Sequence, residues 1–263
     1  MPRRSPTVVA TCLASAVLAL AGCSGGNEQV TPQAGASSSA TASTPAPSTT
    51  DTALPPAAQG LVPCPRANER RFALRSGDER VTGFVRGKGG RVAILSHQSR
   101  GTPCDLGQLG SALADAGYRV VLWTTESGSS THALRSLIAH ERSRGASWVA
   151  LVGASIGGAT SVVATAGTRP PVDAVVALSP SSQADTGGDV ERAAARYRGP
   201  LMVIAGQYDP SFAELPAVLA RVHDGPEEVE VVPGSGDHGK DFVSRTTDPM
   251  TGRVIAFLAG THR

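Results

Sequence analysis

The sequence predicts an α/β protein, a doubly wound and mostly parallel sheet, over residues 61–263. Two observations carry this. Short runs such as WVALV (148–152) and LMVIA (201–205) are apolar without polar alternation, as strands buried on both faces of a parallel sheet must be. Segments long enough for helices alternate with them, which is the pattern of stacked β-α-β units. About 200 residues suffice for one such domain with a substantial core. No repeat of fixed period points to a solenoid.

Taken in order, residues 72–74 and 80–86 read as a hairpin turned at Ser76-Gly77-Asp78. Strands are then expected at 91–96, 119–124, 148–152, 172–178, 201–205 and 228–232. The crossover helices are expected at 106–116, 132–144, 156–167, 190–198 and 212–224. A last helix over 241–259 is interrupted near Pro249.

LVGASIGGAT (151–160) sets Ser155 between Gly153 and Gly157. In a chain with 30 glycines, a G-x-S-x-G match arises by chance in roughly one such chain in three, and GCSGG (22–26) matches as well. Context separates the two. Ser24 has no strand before it and no helix after it. Ser155 lies between the strand WVALV and a helix opening near Ile156, where a sharp turn would strain the serine and admit only small neighbours. The helix N-terminus beneath it would direct N–H groups and a positive dipole end toward a developing oxyanion.

An activated serine needs a base and an acid that orients the base. In VIAGQYDPS, Asp209 lies directly beyond the strand 201–205; Asp185 and Asp189 are alternatives in a glycine-rich stretch. Of the histidines after Asp209, His223 falls within a helical segment and His262 is next to the C-terminus. His238, in PGSGDHGKD, follows the last strand and is the expected base. Asp237 and Asp241 beside it read as surface charges or helix caps. Ile156 supplies one oxyanion N–H, and LSHQSRGTPC after an early strand supplies the second.

SHQS, GASIGG, GQYD and GDHG, in that order over residues 70–260, resemble the α/β-hydrolases of the small serine-esterase and dienelactone-hydrolase-like kind. The resemblance implies a minimal lid or none, and a Ser155-His238-Asp209 triad forming an acyl-enzyme. It also implies oxyanion donors at the Ile156 and Ser99 backbones, with Gln98 as the fallback because His97-Gln98-Ser99 stands where many relatives have His-Gly. Dienelactone hydrolases use a cysteine nucleophile, so Ser155 points to ordinary ester hydrolysis. No cofactor is required, and no HExxH or paired Cys and His spacing suggests a metal.

The N-terminus is a separate reading. Arg3 and Arg4 precede an apolar stretch from Val8 to Ala21, the layout of an export signal and too short for a membrane span of about 20 residues. Leu20-Ala21-Gly22-Cys23 resembles the lipobox of bacterial lipoproteins, which implies a signal peptide over 1–22 and lipidation of Cys23. Residues 23–60 are rich in Ser, Thr, Ala and Pro, with Asp51 the sole charge between Thr31 and Gln59. They read as a disordered tether with a reach of roughly 35 Å. Such a protein would sit on the extracytoplasmic face of a cell membrane.

Removing Arg3 and Arg4 with the signal leaves the 24 basic residues at 22, equal to the 22 acidic ones. A neutral mature chain has no basic footprint for nucleic acid. Cys64 and Cys104 are the thiols left once Cys12 departs and Cys23 is lipidated, and export predicts that they pair.

Residues 178–201, where many relatives insert a lid, have room for one short helix. The expected site is therefore open, and the expected substrate a small-molecule or envelope carboxylic ester. Tyr208 and Phe212 are candidates for the pocket lining or for the core. The competing expectation is a non-catalytic lipoprotein that uses the same fold for binding or assembly.

Overall fold

The computed structural model describes residues 64–67, 69–185 and 187–261. The signal, Cys23 and the tether lie outside them. Eight strands form one sheet: β1 (Arg70–Ser76), β2 (Glu79–Arg86), β3 (Arg91–Ser96), β4 (Arg119–Thr124), β5 (Trp148–Ala154), β6 (Ala174–Leu178), β7 (Leu201–Gly206) and β8 (Glu227–Val232). Their order is β1-β2-β4-β3-β5-β6-β7-β8. The β1–β2 and β2–β4 pairings are antiparallel, and every later pairing is parallel.

Among the described residues five α-helices connect them, α1 (Gly107–Asp115), α2 (Thr131–Ser143), α3 (Ile156–Ala164), α4 (Val190–Ala194) and α5 (Leu215–Val222), and α6 (Pro249–Gly260) follows β8. Successive residues of a strand point to opposite faces, and both faces are covered. Val92 and Ile94 of β3 pack in one core layer with Leu137 of α2, Val162 of α3 and Leu219 of α5. Ala93 and Leu95 pack in the other, with Leu109 of α1 and Leu258 of α6. The unbroken apolar strands of the sequence follow from this double burial. Among the described residues no helix is long and apolar enough to cross a membrane.

Several elements are shorter than their sequence pattern. β6 begins at Ala174, not Val172, because the Asp173 carboxylate accepts the Val149 N–H at 2.7 Å in place of a strand bond. α5 opens at Leu215 rather than Phe212, with Pro216 in its first turn, where the missing N–H costs nothing. α4 stops at Ala194, ahead of Gly199-Pro200. The expected last helix divides into a 3-10 turn (Gly239–Val243) and α6, and Asp248 ties the break by accepting the Arg245 N–H at 2.8 Å.

Cys64 and Cys104 are joined by a disulfide, with Cα atoms 5.5 Å apart across 40 residues of sequence. Cys104 lies in the 3-10 turn Pro103–Leu106 ahead of α1, and Cys64 lies against Gly107. Closing a loop of that length removes unfolded-state freedom equivalent to about 2–4 kcal/mol. Replacing both cysteines by serine is expected to lower the unfolding free energy by about that amount, read from urea denaturation of the full chain against the oxidised parent.

Candidate functional site

The parallel strands end along one edge of the sheet, and the loops beyond β3, β5, β7 and β8 hold the candidate residues there. In open α/β sheets this carboxyl edge is where ligands bind. Ser155 links β5 directly to α3. Its φ of +52° and ψ of −118° lie in a region open almost exclusively to glycine. The turn is held on both sides: the Ser155 N–H donates to Leu178 O at 2.8 Å, and its carbonyl accepts the Ala159 N–H at 3.0 Å.

Both flanking glycines are required by close approach. A Cβ on Gly153 would collide with the Gly157 carbonyl, and one on Gly157 with the carbonyls of Ser96 and His97. The G-x-S-x-G spacing is therefore a packing requirement of a turn wedged against β3. Ser155 is 8 % exposed. Ile156 opens α3, so its N–H has no acceptor within the helix.

Asp209 and His238 come together across two loops. His238 Nδ1 lies 2.7 Å from Asp209 Oδ2, and Asp209 is buried. An ionised carboxylate only accepts, so Nδ1 carries a proton; in the neutral ring the lone pair is then on Nε2. Phe212 packs on the imidazole with ring centroids 4.3 Å apart, and Tyr208 is exposed at the rim. Among the described residues no hydrogen bond joins the Ser155 hydroxyl to His238.

What brings His238 to Asp209 is a set of bonds between the β7 and β8 loops. Gln207 N donates to Val232 O at 3.1 Å, Tyr208 N to Ser235 O at 2.8 Å, and Gly234 N to Gln207 Oε1 at 2.7 Å. Gly206 permits the approach, because a Cβ there would lie 2.8 Å from the carbonyls of Ser235 and Asp237. Of these contributors the sequence singles out Tyr208 alone, and for the pocket lining or core instead of for a bond between loops. GQYD was their only trace, and a glycine ending a strand was its single usable signal.

The rival acids and bases are engaged elsewhere. Asp189 caps α4 by accepting the Arg192 N–H at 2.9 Å, and Asp185 accepts from Thr131 Oγ1 at 3.2 Å. His223 is buried beyond α5 with Nδ1 3.2 Å from Ala194 O. Asp237 accepts from Ser235, and Asp241 pairs with Lys240. His262 lies outside the described residues.

The loop after β3 is shaped by His97, which is 3 % exposed. Its Nδ1 lies 2.8 Å from Gln98 O, its Nε2 2.9 Å from Thr124 Oγ1, and its carbonyl accepts from Ser129 Oγ at 3.1 Å. Ser99 follows on the exposed tip of this loop. The next turn is stapled by the disulfide, so both ends of the Ser99 segment are anchored.

Among the described residues the short α4 is the only α-helix between β6 and β7, and cavities of about 590 and 570 Å³ lie away from Ser155, one at the basic opposite edge around Arg70 and Arg119, the other over the β1–β2 hairpin. Among the described residues no group of three or more His, Cys, Asp and Glu side chains could hold a metal ion.

Solved structures of similar fold bear the comparison. A hydrolase of Thermoplasma acidophilum described as CIB-like superposes with a TM-score of 0.57 at 19 % identity, over 73 % of this chain and 98 % of that one. An esterase of Pyrococcus furiosus gives 0.60 at 14 % identity, over 73 % and 91 %. The fold is that of the α/β-hydrolases. A dienelactone hydrolase of Anabaena variabilis shares this α/β-hydrolase fold with a TM-score of 0.53 at 16 % identity, over 73 % of this chain and 95 % of that one. No protein-family model and no curated protein matches the chain.

The strained serine yields a prediction about stability. Ser155→Gly relieves about 1–3 kcal/mol of backbone strain and gives back about 0.5–1 kcal/mol through the freer unfolded chain. A net gain of about 1 kcal/mol in urea unfolding is expected.

Proposed function

We propose that the chain is an extracytoplasmic serine hydrolase that cleaves carboxylic esters. The observation that carries this reading is the pairing of His238 with Asp209 on the same sheet edge as a serine held at positive φ on a helix N-terminus. The esterases and hydrolases among structures of the same fold support a hydrolase. The open edge favours soluble or bulky esters.

In this mechanism the Ser155 Oγ attacks the ester carbonyl carbon and its proton passes to His238 Nε2. Asp209 holds the imidazole in the Nδ1–H tautomer and stabilises the imidazolium. The carbonyl oxygen becomes an oxyanion facing the Ile156 and Ser99 N–H groups; each such donor contributes about 3–4 kcal/mol to the barrier reduction. The tetrahedral intermediate collapses, the C–O bond to the alcohol breaks, and the alkoxide leaves with the proton from His238. Water then attacks the acyl-serine, losing a proton to His238, and the second collapse returns that proton to Ser155 and releases the acid.

A fluorophosphonate probe on the full-length protein tests the assignment. The parent is expected to label, Ser155→Ala and His238→Ala are expected not to, and Asp209→Asn is expected to lower kcat on p-nitrophenyl acetate by about 10⁴-fold. A folded parent that resists labelling would remove the hydrolase reading.

The location is proposed on the N-terminal sequence: cleavage before Cys23, a lipid on its thiol, and a tether carrying the domain. Mass spectrometry of the protein matured in a bacterial host should find the new N-terminus at a diacylglyceryl Cys23, and Cys23→Ser should move the protein from membrane to soluble fractions. An unmodified Cys23 in the mature chain would sink the anchoring.

A further inference from the structure

The side chain of Gln98, in the loop after β3, finds its partner in the loop that carries His238. Gln98 Oε1 accepts the backbone N–H of Lys240 at 3.3 Å, across 142 residues of sequence. The same oxygen would lie 3.0 Å from a Cβ on Gly239; that Cβ would also lie 3.2 Å from Ala154 Cβ and 3.4 Å from Ser155 N. Gly239, with φ of +55°, thus sits where the loop after β3, the serine turn and the histidine loop meet. His238 immediately precedes it and begins the 3-10 turn that contains Lys240.

We propose that Gln98 is a positioning residue: its carboxamide ties the segment bearing the Ser99 oxyanion donor to the segment bearing His238, fixing both relative to Ser155. A glycine at 98 has no side chain to make this link. The role rests on the hydrolase reading and acts through His238 and the oxyanion segment, without contact to the substrate. Its backbone is already set, since the Gln98 carbonyl accepts from Gly101 N at 3.0 Å and lies 2.8 Å from His97 Nδ1. The side chain is therefore launched from a fixed point and adds the one connection that those loop-internal bonds do not make. Displacement of a reacting group by ~1 Å costs up to about 100-fold in rate, so a tie of this kind has a kinetic consequence larger than its stability.

The test compares Gln98→Met, which keeps length and apolar volume but loses the acceptor, with Gln98→Gly and with Gln98→Glu, which retains an acceptor for Lys240. Hydrogen exchange of the Lys240 amide in the full-length protein is the readout that needs no activity. It should quicken about tenfold or more in the Met and Gly variants and stay near the parent rate in Gln98→Glu. On p-nitrophenyl acetate, Met and Gly should lower kcat about tenfold, within that same positional range, with KM moved less than threefold. Unchanged Lys240 exchange in Gln98→Met overturns the tie. Faster exchange with kcat within twofold of the parent overturns its role in positioning. If the parent neither labels with fluorophosphonate nor turns over ester, the hydrolase reading fails, and with it the catalytic role, while the exchange comparison still decides whether Gln98 holds the histidine loop.

Discussion

The positive φ at Ser155 is the constraint on which the rest of the site depends. A non-glycine residue keeps such a conformation only where its surroundings over-determine it, and here they do so from three directions. Leu178 O takes its N–H from the neighbouring strand, α3 takes its carbonyl, and the carbonyls of Ser96 and His97 press against Gly157 from β3. Each of these groups is fixed by the parallel pairing of β3, β5 and β6. The sheet's burial on both faces is thus what makes the strain affordable, and the apolar strands are tied to the chemistry through it.

Around that turn, the remaining groups are placed by backbone bonds between loops instead of by a lid. The β7 and β8 loops are joined through Gln207, Tyr208 and Ser235, and the outcome is a buried carboxylate 2.7 Å from an imidazole that is itself partly exposed. Burial strengthens the acid's hold on the ring, because a charge-assisted bond is worth more where water does not compete. The ring itself stays partly exposed, packed beside Phe212.

Much of this was legible in the sequence, and unevenly so. The strands showed themselves as continuous apolar runs because both their faces are buried, and Ser155 stood out because a tight turn leaves a glycine signature. Asp209 and His238 could be chosen by elimination, since the loops after successive parallel strands share one edge. What stayed hidden depends on distances across the chain. Nothing local to Gly206 says that the Ser235 carbonyl will lie against it, and nothing local to Gln98 names Lys240 as its partner. Helix lengths were overestimated at α4 and α5 because the apolar pattern continues past the point where Pro216 and Gly199-Pro200 set the limits.

The disulfide and the oxyanion segment draw these levels together. Cys104 follows Ser99 by five residues, so the bond to Cys64 closes the far end of a segment whose near end is pinned by His97. A segment anchored at one end can pivot, and anchoring at both ends restricts it. An oxyanion donor cannot be held by an internal acceptor, so in the proposed mechanism the support for the Ser99 N–H has to come from such flanking covalent and buried contacts. The same logic applies to Ile156, whose N–H is left open by the helix geometry itself. In the proposed mechanism the two donors would be set by a staple and by a helix terminus, and neither would need reorganising as charge develops.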